Sequence, residues 1–244
     1  TGCTITRNYV GGNDAAGIAL TDGAESNQIT SNFVGVNVGL TSGIPNSFGI
    51  WIRQANDNTV SENVIGGNII GLLIGTNIGL GALSPIAGIY HANPDMAATR
   101  GGDYTTGNMV FGNIVGLGTG LVPIPNKTGI AVGENARSNF IGTAEGAPNI
   151  ISGNTDAPCY GILLGTLTLN PSEDILPRQN TFVKNRIGIG PNLTTISNTK
   201  GFVLVQAVQN TIGGDTDALA YIIVASVEEV LSLLDGTREN TLLK

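Results

Sequence analysis

Charged residues are scarce in this sequence. They make up 12% of its 244 residues, against about 25% in an average globular protein. The 11 Lys and Arg residues form no basic cluster and are outnumbered by 18 Asp and Glu residues, so nucleic acid is not an expected partner. No apolar run approaches about 18 residues, and we therefore predict no membrane-spanning helix.

Cysteine is nearly as rare, because the chain has only Cys3 and Cys159. A disulfide requires two Cα atoms within about 7 Å of each other. In the elongated stack derived below these cysteines lie several layers apart, so no disulfide within the chain is expected. We interpret Cys159 as a small buried residue, and Cys3 as a candidate for cross-linking to another molecule.

Glycine and asparagine are abundant instead. The sequence has 36 glycines and 26 asparagines, together a quarter of its residues. Both are poor helix formers and are spread along the whole chain, which excludes a helix bundle. The apolar content of 41% argues against disorder, and the absence of a Gly-X-Y period excludes collagen.

An internal repeat accounts for this composition. A glycine that opens a short apolar run recurs at intervals of 32, 39, 41, 32 and 40 residues, at Gly17, Gly49, Gly88, Gly129, Gly161 and Gly201. An Asn-x-apolar triplet follows each anchor, at Asn27, Asn58, Asn108, Asn139, Asn180 and Asn210. The offset is 9 or 10 residues in four repeats and 19 or 20 in the other two, which predicts two inserted loops.

A third element, Asn-x-[Ile/Val]-Gly, follows the second by five residues at Asn32, Asn63, Asn113 and Asn185. Another asparagine precedes the next anchor by three residues at Asn46, Asn126 and Asn198. The N-terminal stretch from Cys3 to Gly11 matches the same pattern, with cysteine in the first slot.

This spacing predicts an all-β fold, a right-handed parallel β-helix of roughly seven coils and about 35 Å in length. Each apolar run is a short strand between tight turns, and stacked coils bury a continuous Ile/Val interior. We expect asparagine at the corners, because it tolerates left-handed backbone and can bond to the asparagines above and below. An antiparallel β-sandwich is the competing architecture.

The segment from Asn139 to Asn154, NFIGTAEGAPNIISGN, resembles the consensus turn of bacterial right-handed parallel β-helix repeat proteins. The stretches around Asn113 and from Gln209 to Gly214 are similar. The resemblance covers residues 1–215 and implies the pectate-lyase-like solenoid fold. It selects no function, since this group includes pectate lyases, polygalacturonases, uronan epimerases, phage tailspikes and adhesins.

The repeat pattern is no longer recognisable in the sequence after Gly214. We predict a last strand at 220–225 and a short amphipathic capping helix within 226–244, because Ser226 to Glu229 fits a capping box and Gly236 would stop the helix. The predicted division is therefore 1–225 for the repeats and 226–244 for the capping helix and tail. The N-terminus carries no comparable cap, so we expect a fragment of a larger surface protein or a protomer whose open ends meet other copies.

Catalytic motifs of the related enzymes are mostly missing. Of the polygalacturonase motifs, Asn154-Thr155-Asp156 alone occurs. The best candidate for lyase or epimerase chemistry is a loop with the single histidine, comprising Tyr90, His91, Asp95, Arg100, Asp103 and Tyr104. A solvated loop is the simpler interpretation.

Trp51 and Arg53 are the candidate ligand-binding residues. Strand alternation places Ile50 and Ile52 in the core and Trp51 and Arg53 outside, where an exposed indole could stack on a sugar. Packing beneath a neighbouring loop is the alternative. Adjacent carboxylates at 173 and 174 could contact Ca²⁺ but supply too few oxygens, so no cofactor and no metal site are predicted.

Together these features predict an extracellular, non-enzymatic β-helix that serves as a structural or adhesive element of a cell surface, a filament or a virion. Its expected partners are a surface glycan or other copies of itself. The alternatives are a polysaccharide lyase or epimerase and a phage-type receptor-binding spike.

Overall fold

The computed structural model describes residues 1–76, 78, 104–155, 160–214, 216, 222–223, 226–234 and 236–243. Within them the chain winds through three sheets in turn, and every pairing between strands is parallel. The predicted parallel β-helix of about seven coils is therefore confirmed. Its right-handed sense stays a prediction.

Each sheet takes one short strand from each coil. Sheet 1 contains β1 (Thr4–Thr6), β4 (Gln28–Thr30), β7 (Thr59–Ser61), β11 (Met109–Phe111), β15 (Phe140–Ile141), β18 (Thr181–Phe182), β21 (Thr211–Ile212) and β24 (Thr241–Leu242). Sheet 2 contains β2 (Tyr9–Val10), β5 (Phe33–Val34), β8 (Val64–Ile65), β12 (Ile114–Val115), β16 (Asn149–Ile151), β19 (Asn185–Ile187) and β22 (Ile222–Ile223).

Sheet 3 has the longest strands. It contains β3 (Ala16–Thr21), β6 (Phe48–Arg53), β9 (Ile70–Ile74), β13 (Thr128–Val132), β17 (Tyr160–Gly165), β20 (Asn198–Val205) and β23 (Ser226–Leu233). A further pair, β10 (Thr105–Thr106) and β14 (Ala136–Arg137), lies on the corner that leads from sheet 3 to sheet 1. The inward residues of the three sheets form one core cluster, in which Ile29, Ile65 and Ile130 are fully buried.

Three ladders of stacked asparagines mark the corners. The first contains Asn27, Asn58, Asn108, Asn139, Asn180, Asn210 and Asn240, the second Asn8, Asn32, Asn63, Asn113, Asn149 and Asn185, and the third Asn13, Asn46, Asn68, Asn126, Asn154 and Asn198. The predicted bonding between coils is thus confirmed. Cys3 occupies the slot before Asn27, and its backbone N–H donates to the Asn27 Oδ1 at 3.0 Å.

The expected left-handed asparagine at the corners is wrong. In the first ladder the residue before each asparagine has the positive φ, as at Ser26 (54°), and most of the second ladder is alike, as at Ser31 (57°) and Glu62 (58°). The asparagine closes the turn around it: the Asn63 Nδ2 donates to the carbonyl of Ser61 at 3.0 Å. Its amide therefore bonds within its own coil and to the next one, which satisfies a buried polar group.

The third anchor is Gly71 and not Gly88, which lies outside the described residues. Strand β9 pairs with both β6 and β13, so Gly71 stacks between Gly49 and Gly129. A Cβ on Gly71 would lie 2.6 Å from the carbonyl oxygen of Gly129, which explains why the position requires glycine. The pattern favoured Gly88 because isoleucine follows it, whereas leucine follows Gly71.

The predicted C-terminal capping helix is also wrong. Ser226–Leu233 is strand β23, and it pairs with β20 so that Leu231 lies beside Phe202 and Leu233 beside Leu204. The last turn then leads to Asn240, which extends the first ladder. The backbone groups of β20 attract another strand, and this pairing overrides the weak helical pattern. The architecture therefore does not change at residue 226, and the solenoid continues through β24.

Candidate functional site

The outward face of sheet 1 is the candidate functional surface. In sheet 1 a core residue such as Ile29, Val60 or Val110 alternates with outward residues, so the residues on either side of it form two rows along the axis. The first row consists of Thr4, Gln28, Thr59, Met109, Phe140, Thr181, Thr211 and Thr241. We call it the hydroxyl row; it has no charged residue.

Two apolar side chains interrupt the hydroxyl row at its centre. Met109 is 40% exposed and Phe140 is 43% exposed, and the register places them side by side on adjacent coils. The loop at 143–148 packs against Phe111 in the second row, since a Cβ on Gly146 would lie 2.6 Å from the Phe111 ring. An exposed apolar pair with hydroxyl groups above and below it can contact both the apolar faces and the hydroxyl groups of a sugar.

This surface was not predicted from the sequence. Met109 and Phe140 are 31 residues apart, and their strands contain only three and two residues. Alternation cannot be recognised over so short a run. The available signal was the Asn ladder: both residues directly follow a first-ladder asparagine, Asn108 or Asn139, and this fixes their common direction.

Trp51 points outward from sheet 3 as predicted, but the expected exposed indole is wrong. Trp51 is 7% exposed and belongs to a second apolar cluster that includes Phe48, Leu73 and Leu163. Its Nε1 donates to the carbonyl of Gly75 at 3.0 Å. This environment makes it a packing residue on the covered face of sheet 3.

The Arg53 guanidinium is also engaged in contacts within the solenoid. Its guanidinium lies 2.8 Å from the Asp22 carboxylate and 5.3 Å from the centre of the Trp51 ring. The geometry therefore ties Arg53 to its neighbouring coil and to Trp51, and it does not support the predicted ligand-binding role for this pair.

Tyr104 is the one member of the histidine loop within the described residues. Tyr90, His91, Asp95, Arg100 and Asp103 lie outside them. The Arg137 guanidinium carbon lies 3.5 Å from the centre of the Tyr104 ring, a cation–π contact. Burial lowers the pKa of Arg137, and nearby Tyr104 partly opposes this shift.

Arginines on successive coils hold the second inserted loop. Arg178 pairs with Arg137 along the corner, and their guanidinium groups donate to the backbone carbonyls of Glu173 and Asp174. Arg238 forms an ion pair with the Glu173 carboxylate. The Glu173 carboxylate is thus paired with an arginine. The described residues contain no group of three His, Cys, Asp or Glu that could hold a metal ion.

Glu134 is a buried carboxylate that sequence analysis did not single out. It is 7% exposed, and its Oε1 accepts hydrogen bonds from the hydroxyls of Thr166 and Thr168 at 2.8 and 2.6 Å. Thr166 and Thr168 are therefore engaged with the preceding coil. Glu134 helps to fix this segment to that coil.

Comparison with known proteins gives no relative. No family model, no curated protein and no solved structure matches this chain. Among the described residues no helix is long and apolar enough to cross a membrane.

Proposed function

We propose that the chain is an extracellular, non-enzymatic β-helix, structural or adhesive in role, that binds a neutral glycan along the outward face of sheet 1. The single observation that carries the proposal is the uncharged hydroxyl row with the exposed Met109–Phe140 pair at its centre. The turn sequence from Asn139 to Asn154 supports, as part of the same proposal, membership in the bacterial parallel β-helix repeat proteins.

The geometry suits a linear polysaccharide parallel to the solenoid axis. Neighbouring hydroxyl-row residues repeat at the strand spacing of about 4.8 Å, similar to the advance per sugar in an extended glycan. The hydroxyls of Thr181 and Thr211 make no hydrogen bond to the described protein residues, so they are available to a ligand. The net charge of −7 disfavours an acidic polysaccharide and favours a neutral one.

The side chains that resemble catalytic groups contribute to the scaffold. Arg53 pairs with Asp22, Tyr104 stacks on Arg137, and Glu134 accepts bonds from two threonines. These contacts support a binding rather than a catalytic role for the described surface.

Affinity electrophoresis in gels containing neutral polysaccharides, guided by a glycan array, tests the proposal. The double variant Met109→Ala/Phe140→Ala is expected to weaken binding about 10-fold or more, because each apolar contact contributes roughly 1 kcal/mol. Tyr9→Ala is the matched control: Tyr9 is 48% exposed on sheet 2, and its loss should leave binding unchanged.

Three results would contradict the proposal. They are equal binding by the double variant and the parent chain, an equal loss in Tyr9→Ala, and absence of binding to every neutral glycan. Formation of unsaturated products from a uronan would overturn the non-enzymatic role. Raising the salt concentration should change the affinity little, since no ion pair holds a neutral ligand.

A further inference from the structure

The sequence contains two N-x-[Ser/Thr] glycosylation motifs, at Asn126-Lys127-Thr128 and Asn192-Leu193-Thr194. By sequence they are equivalent acceptors. The fold places them in opposite environments, because one asparagine belongs to a ladder and the other to a surface hairpin.

Asn126 is fully buried in the third ladder. Its Nδ2 donates to the Asn154 Oδ1 at 3.0 Å and to the Ile65 carbonyl at 3.3 Å, and its Oδ1 accepts from the Asn68 backbone N–H. A Cβ on the stacked Gly71 would already lie 3.2 Å from the Asn126 amide carbon, so no space exists for a sugar.

Asn192 lies in an exposed hairpin between β19 and β20. The Thr194 backbone N–H donates to the Asn192 Oδ1 at 3.2 Å. This Asx turn brings the motif's two essential residues together. The Gly190 N–H donates to the Thr194 carbonyl at 2.7 Å and closes the hairpin. The Asn192 Nδ2 bonds to no described residue.

We infer that Asn192 is a site of N-linked glycosylation on the folded chain and that Asn126 is not. The Asn192 Nδ2 attacks the anomeric carbon of a sugar activated by a diphosphate leaving group. A carbon–nitrogen bond forms, the bond from that carbon to the diphosphate oxygen breaks, and a base on the transferase takes the amide proton.

This inference does not depend on the proposed glycan-binding surface. The Asn192 hairpin leads from sheet 2 to sheet 3, so an attached sugar would project from the corner opposite sheet 1. The fold therefore permits modification of the solenoid without blocking the hydroxyl row.

The test uses the purified folded chain, an N-glycosyltransferase that accepts the motif, and a nucleotide-diphosphate sugar donor. Peptide mapping by mass spectrometry is expected to find the sugar on Asn192, at a rate within about tenfold of that for a free peptide covering 188–198. Modification of Asn126 should be about 100-fold slower in the folded chain, because it requires the ladder to open.

Asn192→Gln is the matched variant, since it removes the motif in a hairpin outside the core. The folded variant should remain unmodified, and unfolding it in urea should expose Asn126 to the enzyme. A sugar on Asn126 of the folded chain, or an unmodified Asn192 in the parent chain, would overturn the inference. Neither result bears on glycan binding by sheet 1.

Discussion

Sheets 3 and 1 share one core but differ on their outward faces. The outward residues of sheet 3 include Trp51, Leu73 and Leu163, which are at most 7% exposed. The outward residues of sheet 1 are mostly threonines, with Met109 and Phe140 left about 40% exposed. Strand register alone therefore does not decide burial, because the outward residues of sheet 3 form a second buried apolar cluster that also includes Ile78. In the same solenoid the outward face of sheet 3 is buried, whereas the outward face of sheet 1 keeps apolar side chains exposed.

The largest effect is expected from a carboxylate placed on each face. Leu163→Asp puts a charge where the side chain is fully buried in the second cluster, and should destabilise the fold by at least about 5 kcal/mol. Thr181→Asp places the same group on the hydroxyl row and should change stability by about 0.5 kcal/mol or less. Urea unfolding followed by circular dichroism measures both, and similar midpoints would remove the distinction between the two faces.

Replacing one aromatic residue on each face by alanine should lower stability by unequal amounts. Both losses should be smaller than that of Leu163→Asp. Trp51→Ala removes a packed indole and its hydrogen bond to the Gly75 carbonyl, and is expected to cost about 3–5 kcal/mol. Phe140→Ala should cost about 1 kcal/mol or less, since its ring is already partly in water. Trp51→Phe retains the ring packing without the hydrogen-bond donor, so its loss of stability should lie between those of the two alanine variants. A Trp51→Ala midpoint equal to that of Phe140→Ala would show that sheet 3 is not covered in solution.

The corners were the most predictable part of the fold. Asn58, Asn63 and Asn113 could be assigned from spacing because each coil repeats the same amide bond to the next coil. Asn149 and Asn240 were missed, since Pro148 and the changed C-terminal sequence hide the motif there. The left-handed residue before the first-ladder and most second-ladder asparagines, such as Ser31 or Glu62, varies in type, so no sequence signal marks it.

The exposure of outward residues, on which the candidate surface rests, was less predictable because it depends on contacts between coils. The direction of Trp51 followed from alternation within one strand, but its burial depends on residues such as Leu73 and Ile78 from the next part of the chain. The strand at 226–233 also depends on its neighbour, because the edge of β20 decides between helix and strand. The local sequence pattern specifies which way a side chain points, and packing against other coils decides whether that side chain is exposed.

The smallest expected effect is a pH dependence at the last coil of sheet 3. The hydrogen bond from the Ser232 hydroxyl, and then Lys200 at 3.3 Å, lower the pKa of Glu229 below its ordinary value. A lowered folded-state pKa gives a contribution that is present above the unfolded-state pKa and is lost as the pH falls through the folded value. Between about pH 6 and pH 3, protection factors of the β23 amides, corrected for intrinsic exchange, should therefore fall more than those of β13. Ser232→Ala should reduce this dependence, whereas Glu228→Gln, which leaves the Ser232–Glu229 bond in place, should retain it. An unchanged dependence in Ser232→Ala would show that the hydroxyl does not stabilise the Glu229 carboxylate.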